Sequence, residues 1–139
     1  MRIVVVCVGR LRGAPFADDV AHYERLLVRQ ARVEIQEVKD EAGVPKRIPD
    51  SAFVCLLDRE GSALSSPELA SFLEERRGSG KDLCFVVGGP FGLDPGLLER
   101  VDRRLSFGPI TLPHELARVV LLEQLFRSHK ILAGEKYHY

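Results

Sequence analysis

Three short segments, Ile3–Val8, Phe53–Leu57 and Leu83–Val87, are apolar at every position. A strand with one face in water alternates apolar and polar residues, so unbroken runs of this kind mark strands covered on both faces. In a single chain that pattern is met by a parallel sheet between helices, because parallel neighbours need crossover connections and the crossovers cover the faces.

The intervening segments supply those crossovers. Residues 17–30 carry Val20, Tyr23, Leu26 and Leu27 at helical spacing. Ser66-Pro67-Glu68 opens a helix reaching about Arg77, with a serine N-cap, proline in the first turn and an acid at the positive dipole end; Gly78 and Gly80 stop it. Asp94-Pro95 starts a short helix to about Arg103, and a last helix runs from about His114 to Lys130. Arg32–Val38 alternates weakly and reads as a strand nearer an edge, and Leu105–Phe107 as a short strand, which makes about five. Lys39–Asp50, charged and holding Gly43, Pro45 and Pro49, is a loop. No repeat or long linker interrupts the chain, so residues 1–139 read as one α/β domain with helices on both faces of a parallel sheet. Ligands of such sheets sit outside the carboxyl ends of the strands, which directs attention to the loops after Leu57, Val87 and Phe107.

Lys plus Arg and Asp plus Glu both number 20, which excludes a protein that coats nucleic acid through its overall field. A local basic face stays open, since residues 100–139 hold seven Lys or Arg against four Asp or Glu. The apolar start is too short for a secretory signal or a membrane span, so a cytoplasmic protein without a membrane partner is expected. Cys7, Cys55 and Cys84 each lie inside an apolar run and read as inert buried thiols. His22, His114, His129 and His138 share no metal-ligand spacing, and no nucleophile elbow is present.

The last helix carries a second message. Between Glu115 and Arg127 eight of thirteen residues are apolar and they spread around most of the circumference. Such a helix is buried on more than one side, against a partner subunit in a two-fold homodimer or, in a monomer, as a central core helix.

Two loops are suited to ligand chemistry. Gly88-Gly89-Pro90-Phe91-Gly92 directly follows a buried strand and lets a ligand approach backbone, or makes an ordinary tight turn. Phe107-Gly108-Pro109-Ile110-Thr111-Leu112-Pro113 is an apolar loop stiffened by prolines, suited to the flat face of an adenine ring. At the end of the chain, His138 between Tyr137 and Tyr139 suggests a tail that docks somewhere.

Taken together, the glycine loop, Ile110-Thr111-Leu112-Pro113-His114, Arg118-Val119 with Glu123-Gln124-Leu125-Phe126-Arg127, and the terminal Tyr137-His138 resemble the ribosomal RNA large-subunit methyltransferase H family, of the SPOUT class. The resemblance covers the whole chain. It implies a homodimer with a C-terminal trefoil knot, S-adenosylmethionine as methyl donor and N3 of a pseudouridine as acceptor, in large-subunit ribosomal RNA within the assembled ribosome. It further implies cofactor contacts at Leu57, Gly88, Phe107, Gly108, Pro109, Ile110, Thr111 and Leu112. The methyl displacement needs no metal. His138 is then the candidate base or proton relay for N3, with Tyr137 stacking on the base and Arg118 and Arg127 holding phosphate or making ion pairs. Three features depart from the family pattern: Lys136 and Tyr139 flank the tail where proline and a basic residue are usual, Phe126 stands for tyrosine, and the Lys39–Ser51 connection is short. A SPOUT methyltransferase with another RNA target and a non-catalytic nucleotide-binding ribosomal module are the competing expectations.

Overall fold

The computed structural model describes residues 1–11, 15–88 and 94–137. Among them are five parallel strands, β1 (Arg2–Val8), β2 (Arg32–Val38), β3 (Phe53–Ala63), β4 (Leu83–Val87) and β5 (Arg103–Ser106), in the order β2-β1-β4-β3-β5. The three unbroken apolar runs occupy the interior of the sheet, and the weakly alternating run is an edge.

Alternation along the strands sorts their side chains into two cores. Ile3, Val5, Cys7, Cys55, Leu83, Phe85 and Val87 face three long helices, α1 (Ala17–Leu27), α2 (Ser66–Gly78) and α4 (His114–Leu132). Val4, Val6, Val8, Val54, Leu56, Cys84 and Val86 pack instead under Val44 and Ile48 and under Leu97 of the one-turn helix α3 (Pro95–Leu98). Both faces are therefore covered, but unequally: the second layer is made of two 3₁₀ turns, Glu41–Gly43 and Pro45–Arg47, and α3.

Helix α4 packs against both α1 and α2. This buries Leu121, Leu122, Leu125 and Phe126 within the chain and accounts for much of the all-round apolarity. Leu116, Val120, Glu123 and Arg127, spaced four, three and four apart on one stripe, stay half-buried.

Several boundaries differ from the sequence expectation: β1 begins at Arg2, α1 ends at Leu27 rather than at residue 30, and β5 spans Arg103–Ser106 rather than Leu105–Phe107. Strand β3 continues to Ala63, because after an irregular stretch Ser62 and Ala63 pair again with β5; Leu105 is opposite both Leu57 and Ser62. The N-cap of α2 is Ser65: its Oγ accepts from the Glu68 amide at 3.2 Å while the Glu68 carboxylate accepts from the Ser65 amide at 2.9 Å. Helix α3 stops at Leu98, since the Asp102 carboxylate accepts the Val54 amide at 2.8 Å and draws the chain into β5 from Arg103. Helix α4 gains two residues, ending at Leu132.

Candidate active site

Because all five strands are parallel, their carboxyl ends open at one edge. Val8 is level with Val38, Cys7 with Val87, and Leu57 with Val87. At that edge lies a cavity of about 320 Å³ lined by Leu57, Asp58, Arg59, Val87, Gly88, Leu105–Gly108, Ile110–His114 and Ala117. Leu57, Gly88, Phe107, Gly108, Ile110, Thr111 and Leu112, chosen from sequence, are thus brought together. Pro109 is exposed and does not line the cavity. Residues 89–93 of the glycine loop lie outside the described residues.

The cavity wall is set by side chains that sequence reasoning missed. Ser106 is 8% exposed, and its hydroxyl donates to the Gly108 carbonyl at 2.9 Å and accepts from the Gly108 amide at 3.0 Å. Gly108 adopts φ +102°, a conformation that L side chains rarely take, so this tight turn requires glycine. Asp58 pairs with Arg104 at 3.2 Å and clamps β3 to β5 beside the mouth. Asp58 and Arg59 directly follow Leu57 and were within reach of the strand-end argument; Ser106 acts only on its own loop and leaves no pattern. A second cavity of about 340 Å³ shares Leu57 and Leu105–Gly108 and is closed by Leu64, Leu69, Val120, Leu121 and Gln124.

His114, in the first turn of α4, lines the cavity and stands over Gly9, where an added β-carbon would meet its Nε2 at 3.4 Å. One turn further, Arg118 is 1% exposed. Its Nη1 reaches Glu37 Oε2 at 2.5 Å and its Nη2 the Gly9 carbonyl at 3.1 Å; the Leu11 amide donates to the same carboxylate oxygen at 3.0 Å. Desolvation pushes the Glu37 carboxyl up, but hydrogen bonds from Arg118 and Leu11 outweigh it and hold the group below the usual carboxylate value.

Of the tail expected to dock, Tyr137 is described, and it rests on α4. The Tyr137 ring lies 5.0 Å from the Phe126 ring with the Arg127 guanidinium 4.9 Å from its centroid, and its hydroxyl donates to Glu123 Oε1 at 3.4 Å. Arg127 donates to the same carboxylate oxygen from Nε at 2.8 Å. Desolvation and the Glu123 charge push the Tyr137 phenol above its ordinary value, so it is neutral at physiological pH. Tyr137 does not line the cavity. Its ring rests against Phe126, roughly 14 Å along α4 from Ala117 at 1.5 Å per residue. His138 and Tyr139 lie outside the described residues.

The three thiols sit in the sheet. Burial pushes Cys7, Cys55 and Cys84 each up to about 12. Among the described residues no group of three or more His, Cys, Asp or Glu is placed to hold a metal ion, and no helix is long and apolar enough to cross a membrane.

Residues 1–138 match the family model described as Predicted SPOUT methyltransferase. The chain belongs to this family. Curated relatives in it are called Ribosomal RNA large subunit methyltransferase H. The Rubrobacter xylanophilus protein is 48% identical over 99% of this chain and 98% of its own length, and the Solidesulfovibrio magneticus protein 42% identical over 97% of each. The Gemmatimonas aurantiaca protein is 38% identical over 99% of each. The likeness runs end to end and places the chain among the H-type SPOUT methyltransferases. Two solved structures share the fold at low identity. A probable methylase family protein from Haemophilus influenzae Rd KW20 aligns with TM-score 0.58 at 14% identity, over 99% of this chain and 70% of that one. TrmJ from Z. mobilis ZM4 aligns with TM-score 0.50 at 10% identity, over 91% and 69%.

Proposed function

We propose that this SPOUT methyltransferase moves a methyl group from S-adenosylmethionine to N3 of a pseudouridine in large-subunit ribosomal RNA, in the cytoplasm, on the assembled ribosome and as a homodimer with a C-terminal trefoil knot. The observation that carries the reading is the strand-end cavity, in a chain whose full-length relatives bear the name of a ribosomal RNA methyltransferase.

The cavity suits the cofactor on its own terms. At about 320 Å³ it is in the range of small-molecule sites. Leu57, Val87, Phe107 and Leu112 offer apolar walls for an adenine ring, while Asp58 and Arg59 offer opposite charges to a zwitterionic amino acid at the mouth. The bound cofactor supplies an electrophilic methyl carbon. The protein's part is to align that carbon with the acceptor nitrogen and to keep water out, which the Ser106–Gly108 turn and the His114 wall perform by holding the loop rigid. The N3 proton must leave, and His138 is the proposed base, with Tyr137 as a neutral stacking or donating partner.

In one chain Tyr137 rests well down α4 from the cavity. The half-buried stripe Leu116–Val120–Glu123–Arg127 favours a two-fold pair of α4 helices running in opposite directions. That arrangement carries the tail of one subunit toward the cavity of the other, so each site is completed by its neighbour. Calorimetric titration with S-adenosylmethionine tests the cofactor half of the reading. Wild-type protein is expected to bind, and Gly88→Val to stay folded but lose affinity, because a side chain then stands where ligand meets backbone. A wild type that binds none overturns the reading.

A further inference from the structure

Arg118 is the largest fully buried side chain among the described residues. Burying the guanidinium costs desolvation that a pair with Glu37, whose side chain is 33% exposed, repays at best weakly, so stability alone is a poor reason for its presence. What the pair does is join three elements. Arg118 projects from α4; Glu37 stands near the end of β2; and the Gly9 carbonyl and the Leu11 amide, on the turn after β1, complete the network at 3.1 and 3.0 Å. Among the described residues Arg118 Nε has no hydrogen-bond partner, and the guanidinium is oriented by Glu37 and Gly9. His114 lies four residues before Arg118 on the same face of α4, above Gly9, and lines the cavity.

We propose that Glu37 is a positioning residue of the methyltransferase site: through Arg118 and the Leu11 amide it holds the Gly9–Leu11 turn beneath His114 and so fixes the first turn of α4, one wall of the cofactor cavity. The proposal rests on the S-adenosylmethionine reading above. Glu37 touches neither cofactor nor acceptor; it acts on cavity shape, and its loss weakens cofactor binding more than it slows the chemical step.

The test compares wild type with Glu37→Ala, Glu37→Gln and the double variant Glu37→Leu/Arg118→Met. The readouts are the thermal midpoint without ligand, the dissociation constant for S-adenosylmethionine, the split between KM for that cofactor and kcat on ribosomes, and hydrogen exchange at the Leu11 amide. The double variant replaces the pair by apolar groups and is expected to melt within a few degrees of wild type. It is expected to bind S-adenosylmethionine at least tenfold more weakly, with KM raised more than kcat is lowered and the Leu11 amide exchanging at least tenfold faster. Glu37→Gln keeps an oxygen that accepts both hydrogen bonds and retains most of the affinity; Glu37→Ala does not. A folded double variant with wild-type affinity overturns the proposal and leaves Glu37 a structural residue. If the double variant does not fold, equal affinities for Glu37→Ala and Glu37→Gln overturn it in the same way. A wild type that binds no S-adenosylmethionine overturns the functional reading first and this proposal with it.

Discussion

A β-carbon placed on Gly61 would stand 2.6 Å from the carbonyl carbon of Arg104 and 2.7 Å from the Leu105 amide nitrogen. Strands β3 and β5 meet there backbone to backbone, just before the loop that walls the cavity. The obstacle is main chain, so no side chain can swing aside. Gly61→Ala is expected to push β5 outward and displace Phe107 and Gly108. Cofactor affinity should fall tenfold or more and the thermal midpoint by several degrees. Calorimetry and a melting curve check both.

The thiols offer a test of the two-layered core. With their pKa values near 12, Cys7, Cys55 and Cys84 are protonated and covered at neutral pH. Native protein should leave an aromatic disulfide reagent unconsumed over minutes, and denatured protein should consume three equivalents per chain. Rapid labelling of a native thiol would place that strand at the surface.

Oligomeric state separates two kinds of leucine and valine on α4. Leu121 and Leu122 are 1% and 0% exposed inside the chain, so Leu121→Glu or Leu122→Glu should unfold the protein outright. Val120 lies on the outward stripe, and Val120→Arg should leave a folded monomer where wild type sediments as a dimer. Sedimentation at micromolar concentration, with circular dichroism on the same samples, reads the difference.

Removing residues 137–139 should abolish methylation while leaving cofactor affinity nearly unchanged, because the proposed part of the tail is base placement and proton removal, not the adenine loop at Phe107–Leu112. His138→Ala alone should lower the rate by roughly a hundredfold or more, the usual scale for losing a general base. Phe126 lacks a hydroxyl, so the docked tail rests on ring contact, on Arg127 and on Glu123; Glu123→Gln should loosen it and raise the rate of proteolysis after Lys136.

The interior of the sheet was legible because Ile3–Val8, Phe53–Leu57 and Leu83–Val87 show no alternation, and only a strand covered on both faces tolerates that. The loops that line the cavity followed from the same argument, since a parallel sheet brings the ends of β3, β4 and β5 together, whereas the individual residues in them came from the family resemblance. What was not legible depends on single partners distant in sequence. Asp102 reaches back to Val54 and turns a helical-looking segment into a strand; Glu37 reaches Arg118 across 81 positions and draws inward a charge that reads as a surface residue. The extension of β3 past Leu57 escaped notice because Arg59 and Glu60 look like loop, whereas Gly61 alone lets the strand close on β5 again.

The central claim is tested most directly by incubating the protein with methyl-labelled S-adenosylmethionine and ribosomes purified from a strain that lacks it, then digesting the RNA to nucleosides. The account predicts label in large-subunit RNA, in one nucleoside that matches N3-methylpseudouridine. Label in another nucleoside, or none above a Gly88→Val control, would contradict it.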